Sequence, residues 1–368
     1  MTRILVAQEL GGNWGHRVRA RRVTGALRAA GLGVVVETGE VRPPVQTAAR
    51  APVSFADILD AQGFAHVNSL RERAAWWIRR FRDARPDALL TEYAPSALFA
   101  ARLAGIPALA LATGFTSPAR ASPLLPFRPA GIAELARLRV LEARMLEAMN
   151  AVLRDGAATP LDRVADLFDR RRVLLATFPE LDHYGARRGA RYIGPIFEDA
   201  RGLQSAWPDG EGPRVFAYLR PAPGVQGLLE ALDRRAARVL GVIPGGPVGF
   251  NRNPVALGRL DPPPQLAVTY CGHGTTAALL LRGVPLVMMP NYVEQLLLAR
   301  RVAQLGAGVV LAPGASAAEM DRAIDAVQNP SYTSAAKRFS TRYAKYTPDR
   351  ALRAVVSALT VNRVRQAA

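Results

Sequence analysis

The sequence predicts an α/β fold made of two doubly wound domains. Apolar runs of strand length alternate with helical patterns, the alternation stops in a glycine-, proline- and charge-rich passage near 197–212, and it then starts again. Such alternation is typical of parallel sheets covered by helices on both faces. With 368 residues, the chain is long enough for two domains of roughly 150 to 200 residues each. We therefore expect domains over 1–197 and 213–345, with a closing helix over 346–368 that could cross back to the first domain.

The first block opens with the strand RILVAQEL, the loop GGNWGH and a helical pattern from about Arg17 to Ala30. The strand GVVVET then completes a β-α-β unit. Further along this block, we expect strands at 88–91, at 106–112 and within RRVLLATFPEL, and helices at 95–104, 131–155 and 160–171.

The second block repeats this order. It begins with the strand RVFAYLRP, the helix VQGLLEALDRRA, the strand RVLGVIPG and the loop-rich passage GFNRNPVALGRLDPPPQ. Next come a strand at 266–270, the turn Gly-His-Gly-Thr-Thr, a helix expected to begin at Thr275 and the strand VPLVMMP. Helical patterns near 317–328, 333–345 and 349–360 follow.

The chain carries a net charge of +18, and only two of its 48 basic residues, Lys337 and Lys345, are lysines. The charge indicates either a general bias toward arginine or an anionic partner, such as an anionic membrane surface or a negatively charged substrate. The arginines are spread over several helices without an aromatic-basic recognition motif. We therefore expect no specific nucleic-acid partner.

The composition also bounds the compartment and the chemistry. No apolar run approaches the roughly 18 residues that span a bilayer, and the opening MTRILVAQEL is broken by Gln8 and Glu9, unlike a signal peptide. We expect a cytoplasmic protein, either free or peripheral at the inner face of the membrane. A single cysteine, Cys271, excludes an internal disulfide framework, and the four histidines show no zinc spacing, so no metal is expected.

The turn after the strand 266–270 has the properties of an anion site. Gly272 and Gly274 allow a close backbone approach, and the N–H groups and dipole of the following helix favour negative charge. The hydroxyls of Thr275 and Thr276 are expected to cap the helix and to donate to phosphate oxygens. The alternative is a tight turn with a threonine N-cap and no ligand. The motif is neither a Walker loop nor GxGxxG.

The next strand delivers NYVEQ to the same carboxyl edge of the sheet, where ligands of open α/β sheets bind. Glu294 and Gln295 offer acceptors and donors that suit sugar hydroxyls. The segment from 268 to 311 resembles the donor-binding region of the UDP-glycosyltransferase superfamily, whose members have the GT-B fold of two facing domains. The matching positions are Gly272, Gly274, Thr275, Thr276, Gly283, Val284, Pro285, Pro290 and Gln295. Glu294 stands where the family usually has aspartate.

Two N-terminal segments resemble the same superfamily. The loop GGNWGH, with Gly12 and Asn13 on the acceptor side, is similar to the loop that carries the family's catalytic histidine. The segment PDALLTEYAPSALFAARLAGIP is similar to the strand whose acidic end orients that histidine. The resemblance implies an N-terminal acceptor-binding domain and a C-terminal domain that binds a nucleotide-diphosphate sugar.

The sequence departs from the family at the donor site. Tyr270 stands where the family usually has the histidine that contacts the diphosphate, whereas His273 falls at a variable position. A tyrosine hydroxyl can donate a hydrogen bond but carries no positive charge. Ala278 stands where a glutamate usually binds the ribose. Arg220, after the first strand of the second domain, is a candidate cation for the diphosphate, with a solvated surface arginine as the alternative.

His16 is the candidate general base for the acceptor hydroxyl, and Glu92 is the candidate carboxylate that holds its ring. The alternatives are a histidine that only caps the following helix and a glutamate that faces solvent. The helix N-terminus at Thr275 and Thr276 would stabilise the leaving diphosphate without a metal, and the resemblance implies inversion at the anomeric carbon.

Three functions remain open from the sequence. The first is an inverting glycosyltransferase that acts on a hydroxylated small molecule, lipid or glycan. The second is a degenerate GT-B protein that binds a nucleotide or glycan without turnover, and the third is a sugar-nucleotide epimerase of the same fold. Trp76 and Trp77 lie in an amphipathic helix, where they either pack in the core or contact a membrane or lipid-like acceptor.

Overall fold

The computed structural model describes residues 1–11, 14–39, 51–198, 205–220, 222–242 and 255–361. Gly12, Asn13 and part of the passage near 197–212 lie outside the described residues. The chain forms two compact units. One contains Met1–Pro179, Ala186–Gly194 and the chain from Asp349 onward, and the other contains Glu180–Gly185 and Pro195–Pro348.

The first unit is built on a parallel sheet in the order β2-β1-β3-β4-β5. Except in the edge strand β2, its strands are short apolar runs whose central residues are buried, as expected for a sheet covered on both faces. The strands are β1 (Arg3–Gln8), β2 (Gly33–Thr38), β3 (Ala88–Glu92), β4 (Ala108–Ala112) and β5 (Val173–Leu175). The helices are α1 (Trp14–Ala29), α2 (Phe55–Ala61), α3 (Val67–Ala84), α4 (Pro95–Leu103) and α5 (Ile132–Asp155).

The second unit contains another parallel sheet, in the order β10-β9-β8-β6-β7. Its strands are β6 (Arg214–Tyr218), β7 (Arg238–Val242), β8 (Leu266–Thr269), β9 (Leu286–Met288) and β10 (Gly308–Val310). Its helices are α6 (Val225–Asp233), α7 (His273–Leu281), α8 (Val293–Gln304), α9 (Ala317–Gln328) and α10 (Pro330–Arg342). The last helix, α11 (Pro348–Val361), lies almost entirely in the first unit.

The two sheets have the same topology. If the strands of the second sheet are numbered from β6, its order is again 2-1-3-4-5. In such sheets the connections diverge between the first and third strands, which opens a crevice at their carboxyl ends. The ends of β1 and β3 in one unit, and of β6 and β8 in the other, are therefore the places where sheets of this kind bind ligands.

Two helix predictions in the first unit need correction. Helix α1 begins at Trp14 rather than near Arg17, so His16 lies in its first turn. The helix predicted over 160–171 is wrong, because this segment forms two short 3₁₀ turns, Val164–Phe168 and Arg170–Arg172. The Asp169 side chain accepts a hydrogen bond from the N–H of Arg171, a local turn contact that competes with helix continuation.

The segment Glu180–Gly185 belongs to the second unit although it follows β5 directly. The Tyr343 hydroxyl donates to the Glu180 carboxylate at 2.6 Å, and Arg342 forms an ion pair with the same carboxylate. The Arg301 side chain also donates to the Glu180 carbonyl oxygen. These contacts tie the segment to α8 and to the end of α10, and this division is not visible in the sequence pattern.

The tryptophans of α3 have different environments. Trp77 is buried in the core, and its indole N–H donates to Ser96 Oγ at 3.3 Å. Trp76 is half-buried, with the Arg80 guanidinium carbon 3.2 Å from its ring centroid. No helix in the part of the chain that the structure describes is long and apolar enough to cross a membrane.

Candidate active site

His16 and Glu92 meet at the carboxyl edge of the first sheet. Glu92 is the last residue of β3 and pairs in register with Gln8, the last residue of β1. His16 follows β1 in the first turn of α1, and its Nδ1 lies 2.8 Å from Glu92 Oε1. Both residues are buried. The alternative interpretation of Glu92 as a solvent-facing acid does not agree with this placement.

Backbone turns at both strand ends bring the pair together. After Glu92, the chain reverses through Tyr93, which has a φ of 51° in the left-handed region. The carbonyl oxygen of Tyr93 accepts the N–H of Leu10 at 2.9 Å, which links the loops after β3 and β1. Non-glycine residues in this conformation concentrate at functional sites, because the surrounding structure must hold them there.

The ring of His16 is confined from two sides. Gly11 has a φ of 97°, and a Cβ atom at this position would lie 2.8 Å from the His16 ring. The Tyr93 ring stacks on His16 with a centroid separation of 5.7 Å. Gly11 is therefore needed both for its backbone conformation and for the room it leaves to the histidine.

A third charged residue completes this cluster. Arg19, one helical turn after His16, is buried, and its Nε donates to Glu92 Oε1 at 2.9 Å. Its Nη2 also pairs with Glu92 and lies 3.0 Å from His16 Nδ1. No sequence motif marks Arg19 as a member of this cluster. Its i,i+3 spacing from His16 places both residues on one helix face, but only if the helix already includes His16.

The charges around Glu92 keep it ionised. Burial alone would raise the pKa of its carboxyl group, but the positive charge of Arg19 and the contacts with His16 outweigh burial and lower the pKa to about 2. At neutral pH the cluster therefore contains a carboxylate that can accept hydrogen bonds from both the imidazole and the guanidinium.

In the second unit, the turn between β8 and α7 is shaped by packing. Cys271 is buried and has a φ of 62°, which redirects the chain out of the sheet. A Cβ on Gly272 would lie 2.9 Å from the Tyr270 ring, and one on Gly274 would lie 3.2 Å from Phe197 Cβ. Gly272 therefore avoids a clash with the Tyr270 ring, whereas a side chain at Gly274 would be tight against Phe197.

The threonine cap predicted for α7 is wrong. The helix begins at His273, two residues earlier than expected, and its N-cap is Gly272, without a side-chain capping bond. The N–H of Thr276 already donates to the Gly272 carbonyl oxygen, and its buried hydroxyl lies 3.6 Å from Cys271 Sγ, to which it donates. Thr276 therefore faces the core. Gly274 and Thr275, which precede this first intrahelical bond, present their N–H groups at the helix N-terminus.

Arg220 and Tyr270 lie together at the ends of β6 and β8. The Arg220 guanidinium carbon lies 5.2 Å from the Tyr270 ring centroid, and the Tyr270 hydroxyl is hydrogen-bonded to both Arg220 and Tyr218. Burial, reinforced by Tyr218, raises the pKa of Tyr270 above its ordinary value, so the phenol stays protonated and can donate a hydrogen bond. Arg220 is thus packed against the site and is not simply a solvated surface arginine.

Gln295 and Glu294 of the NYVEQ segment differ in burial. Gln295 is buried, and its Oε1 accepts the N–H of Asn291 at 2.8 Å, which caps the start of α8. This oxygen is therefore engaged by the backbone, and the role of Gln295 toward sugar hydroxyls stays a prediction. Glu294 is half-buried in the first turn of α8.

The segment Glu180–Gly185 adds a histidine to the second site. The buried His183 ring stacks on the His273 ring with a centroid separation of 5.9 Å, next to the first turn of α7. His273 thus packs against a neighbouring ring rather than standing alone. Within the described part of the chain, no three His, Cys, Asp or Glu side chains are grouped as metal ligands would be.

Two parallel sheets of the same order, each with polar side chains at its crevice, define a GT-B type fold. Solved structures of this kind match nearly the whole chain. The spinosyn rhamnosyltransferase SpnG in complex with thymidine diphosphate gives a TM-score of 0.69 at 16% identity, covering 96% of this chain and 100% of its own. The glycosyltransferase SsfS6 of Streptomyces sp. SF2575 gives a TM-score of 0.61 at 20% identity, and the match covers 96% of this chain and 99% of SsfS6.

Sequence comparisons agree with this class. Residues 228–357 match the family of the erythromycin biosynthesis protein CIII-like C-terminal domain. The PGL/p-HBAD biosynthesis rhamnosyltransferase of Mycobacterium bovis is 28% identical over 275 residues, covering 67% of this chain and 61% of the relative. The demethyllactenocin mycarosyltransferase of Streptomyces fradiae is 32% identical over 145 residues, which cover 35% of this chain and 31% of the relative. These matches agree with the resemblance to the UDP-glycosyltransferase superfamily, and the solved structures confirm the predicted GT-B fold. The chain spans only about three fifths of the first relative's length.

Proposed function

We propose that this chain is an inverting glycosyltransferase that transfers a sugar from a nucleoside diphosphate to a hydroxyl group. The observation that carries this proposal is the buried His16–Glu92 contact of 2.8 Å at the switch point of the first sheet. A protonated Nδ1 that donates to Glu92 leaves the Nε2 lone pair available for the proton of an acceptor hydroxyl.

In this reaction, the acceptor oxygen loses its proton to His16 and attacks the anomeric carbon. The bond between that carbon and the diphosphate oxygen breaks, and the diphosphate leaves with the electron pair. A single displacement of this kind inverts the configuration of the anomeric carbon. Negative charge develops on the leaving diphosphate, where the N–H groups of Gly274 and Thr275, the Tyr270 hydroxyl and the Arg220 guanidinium would stabilise it.

We propose a thymidine diphosphate sugar as the donor. SpnG and SsfS6 have both been solved with thymidine diphosphate, and the named sequence relatives transfer rhamnose and mycarose. Ala278, on α7, offers no acceptor for a ribose hydroxyl, which fits a nucleotide with one fewer hydroxyl on its pentose. The structure of SpnG in complex with spinosyn aglycone also favours a hydroxylated aglycone as the acceptor.

The first experiment is a thermal-shift and turnover screen with TDP-, UDP- and GDP-sugars. We expect stabilisation by TDP-sugars and turnover when an acceptor is supplied. The His16→Ala variant should lose transfer by about a hundredfold or more, because general-base catalysis contributes roughly 10²- to 10⁴-fold. Its donor affinity should be unchanged, since His16 lies in the other unit from the proposed donor site. The exposed His66, changed to Ala, is the matched control.

Wild-type turnover by His16→Ala would contradict the assigned base. The binding-protein alternative rests on the replacements at Tyr270 and Ala278, and it predicts saturable nucleotide binding without turnover for any acceptor. An epimerase would convert the donor sugar with no acceptor present, which product analysis separates from transfer.

A further inference from the structure

Arg19 is a buried cation that shares a carboxylate with the proposed base. Its guanidinium contacts Glu92 Oε1 through both Nε and Nη2, and Nη2 lies 3.0 Å from His16 Nδ1. Arg19, His16 and Glu92 are each at most 5% exposed. A simple histidine–carboxylate pair needs no such third charge, so its presence calls for a physical role.

The charges of the cluster show what that role is. A guanidinium stays protonated in proteins, so Arg19 neutralises Glu92 before His16 gains a proton. An imidazolium at His16 would place a second positive charge about 3 Å from the guanidinium in a site with little water, where like charges repel strongly. Glu92 can therefore orient the imidazole without making the imidazolium the favoured state.

We propose that Arg19 is a positioning residue that neutralises Glu92 and thereby holds His16 in its neutral, proton-accepting form. This inference rests on the proposed role of His16 as the base. A carboxylate only accepts hydrogen bonds, so Arg19 and the Nδ1–H of His16 can both donate to Glu92. If Arg19 instead donated to Nδ1, the proton would sit on Nε2 and the base could not accept another.

The other groups around His16 do not replace this role. Tyr93 stacks on the ring, and Gln8 of β1 contributes a neutral amide 3.5 Å from Glu92 Oε2. Glu9, the next residue, bonds instead to Ser96 and Arg73. Arg22, one turn further along α1, pairs with Asp349 of α11 at 2.6 Å. Arg22 is therefore a matched control on the same helix.

The test is an NMR titration of the His16 imidazole without substrate, with the resonance assigned by its loss in His16→Asn. In Arg19→Met, the unneutralised carboxylate should favour the imidazolium, and the titration midpoint should move up by about one pH unit. In Glu92→Gln, Arg19 repels the imidazolium without a counter-charge, so the midpoint should move down. Arg19→Lys keeps the charge and should stay close to wild type, as should Arg22→Met.

In the pH profile of kcat/KM for sugar transfer, the midpoint of the acid limb should move in the same direction as the His16 titration midpoint in each variant. An unshifted midpoint in a folded Arg19→Met protein would overturn the proposal, as would ¹⁵N shifts that show an unprotonated Nδ1 in the neutral wild type. If Arg19→Met does not fold, the Glu92→Gln and Arg19→Lys variants still test the proposal. It requires the His16 titration midpoint to move down in Glu92→Gln and to stay unchanged in Arg19→Lys. A purely structural Arg19 would lower Tm without moving the midpoint.

The NMR titration tests the role of Arg19, and the turnover assay tests the proposed glycosyltransferase activity, so a negative result in one does not imply a negative result in the other. Absence of transfer with every donor would count against the proposed glycosyltransferase, while the substrate-free titration would still report the effect of Arg19 on His16. If Arg19→Met transferred sugar normally and the acid limb of its pH profile were unchanged, only the proposed role of Arg19 would be contradicted.

Discussion

At the residue scale, a glycine in each unit leaves room for the ring of a candidate site residue. Gly11 leaves space for the His16 ring, and Gly272 leaves space for the Tyr270 ring. In both cases an added Cβ would come within 3 Å of ring atoms. The glycines of these loops therefore fix the positions of side chains as well as the path of the backbone.

Arg220 gives a prediction at this scale. Changing Arg220 to Met should raise the Kd for the donor by about 10- to 100-fold, because hydrogen bonds to charged groups contribute roughly 1.5 to 3 kcal/mol. Titration calorimetry with the TDP-sugar measures this change. The control is Arg214→Met, since Arg214 begins β6, the same strand that Arg220 follows, and so lies at the opposite edge of the sheet. Equal donor affinity in wild type and Arg220→Met would remove Arg220 from the donor site.

At the element scale, α5 carries a buried acid outside both candidate sites. Glu142 is buried, and its Oε1 accepts the N–H of Leu124 in the loop after β4. Burial raises the pKa of Glu142 from 4.5 to about 7, and the single backbone hydrogen bond offsets burial only in part. The native protein thus holds a proton on Glu142 that the unfolded chain releases at a lower pH.

The raised pKa of Glu142 makes stability depend on pH in a defined direction. Its contribution is fully present below pH 4.5 and is lost as the pH rises through about 7. Glu142→Gln keeps the acceptor oxygen but cannot ionise, so it should stabilise the protein at pH 8 and have little effect near pH 4.5. Urea unfolding at the two pH values measures the difference. Glu147→Gln, at an exposed position of α5, is the control, and a pH-independent effect of Glu142→Gln would contradict the assignment.

At the scale of the whole molecule, the first unit is completed by the end of the chain. Helix α11 buries Val355 and Leu359 and belongs with the N-terminal residues rather than with the preceding helices. Arg22 of α1 pairs with Asp349 at its start. The first unit therefore cannot be complete until the second unit has been synthesised.

Removing part of this packing should weaken the first unit selectively. Leu359→Ala should cost about 2 to 4 kcal/mol, the range of buried Leu→Ala changes. Hydrogen exchange read by mass spectrometry should show faster exchange in β1, β3 and α1, with β8 and α7 unchanged. Ser357→Ala, at an exposed position of α11, is the control. Equal loss of protection in both units would show that the helix does not stabilise the first unit in particular.

Much of the fold could be predicted because its causes are local. Continuous apolar runs indicated parallel strands, and the strands at 88–91 and 266–270 agree with β3 and β8 to within one residue. The encounter of His16 with Glu92 was also predictable, since the carboxyl ends of neighbouring parallel strands share one edge. The helix starts were less accurate. A start near Arg17 hid the shared face of His16 and Arg19, and a start at Thr275 placed Thr276 at the ligand edge instead of in the core.

The sequence by itself determined the strand and helix order, the motif that resembles the superfamily and the candidate residues for proton transfer, because these depend on periodicity and on spacing within single segments. Only the tertiary structure decided that Arg19 shares Glu92 with His16, that Arg220 packs on Tyr270, and that the chain end returns to the first unit. These contacts join residues up to 327 positions apart, as between Arg22 and Asp349. Such pairs form because tertiary packing brings distant segments together, and no local pattern encodes which partner a charge will find.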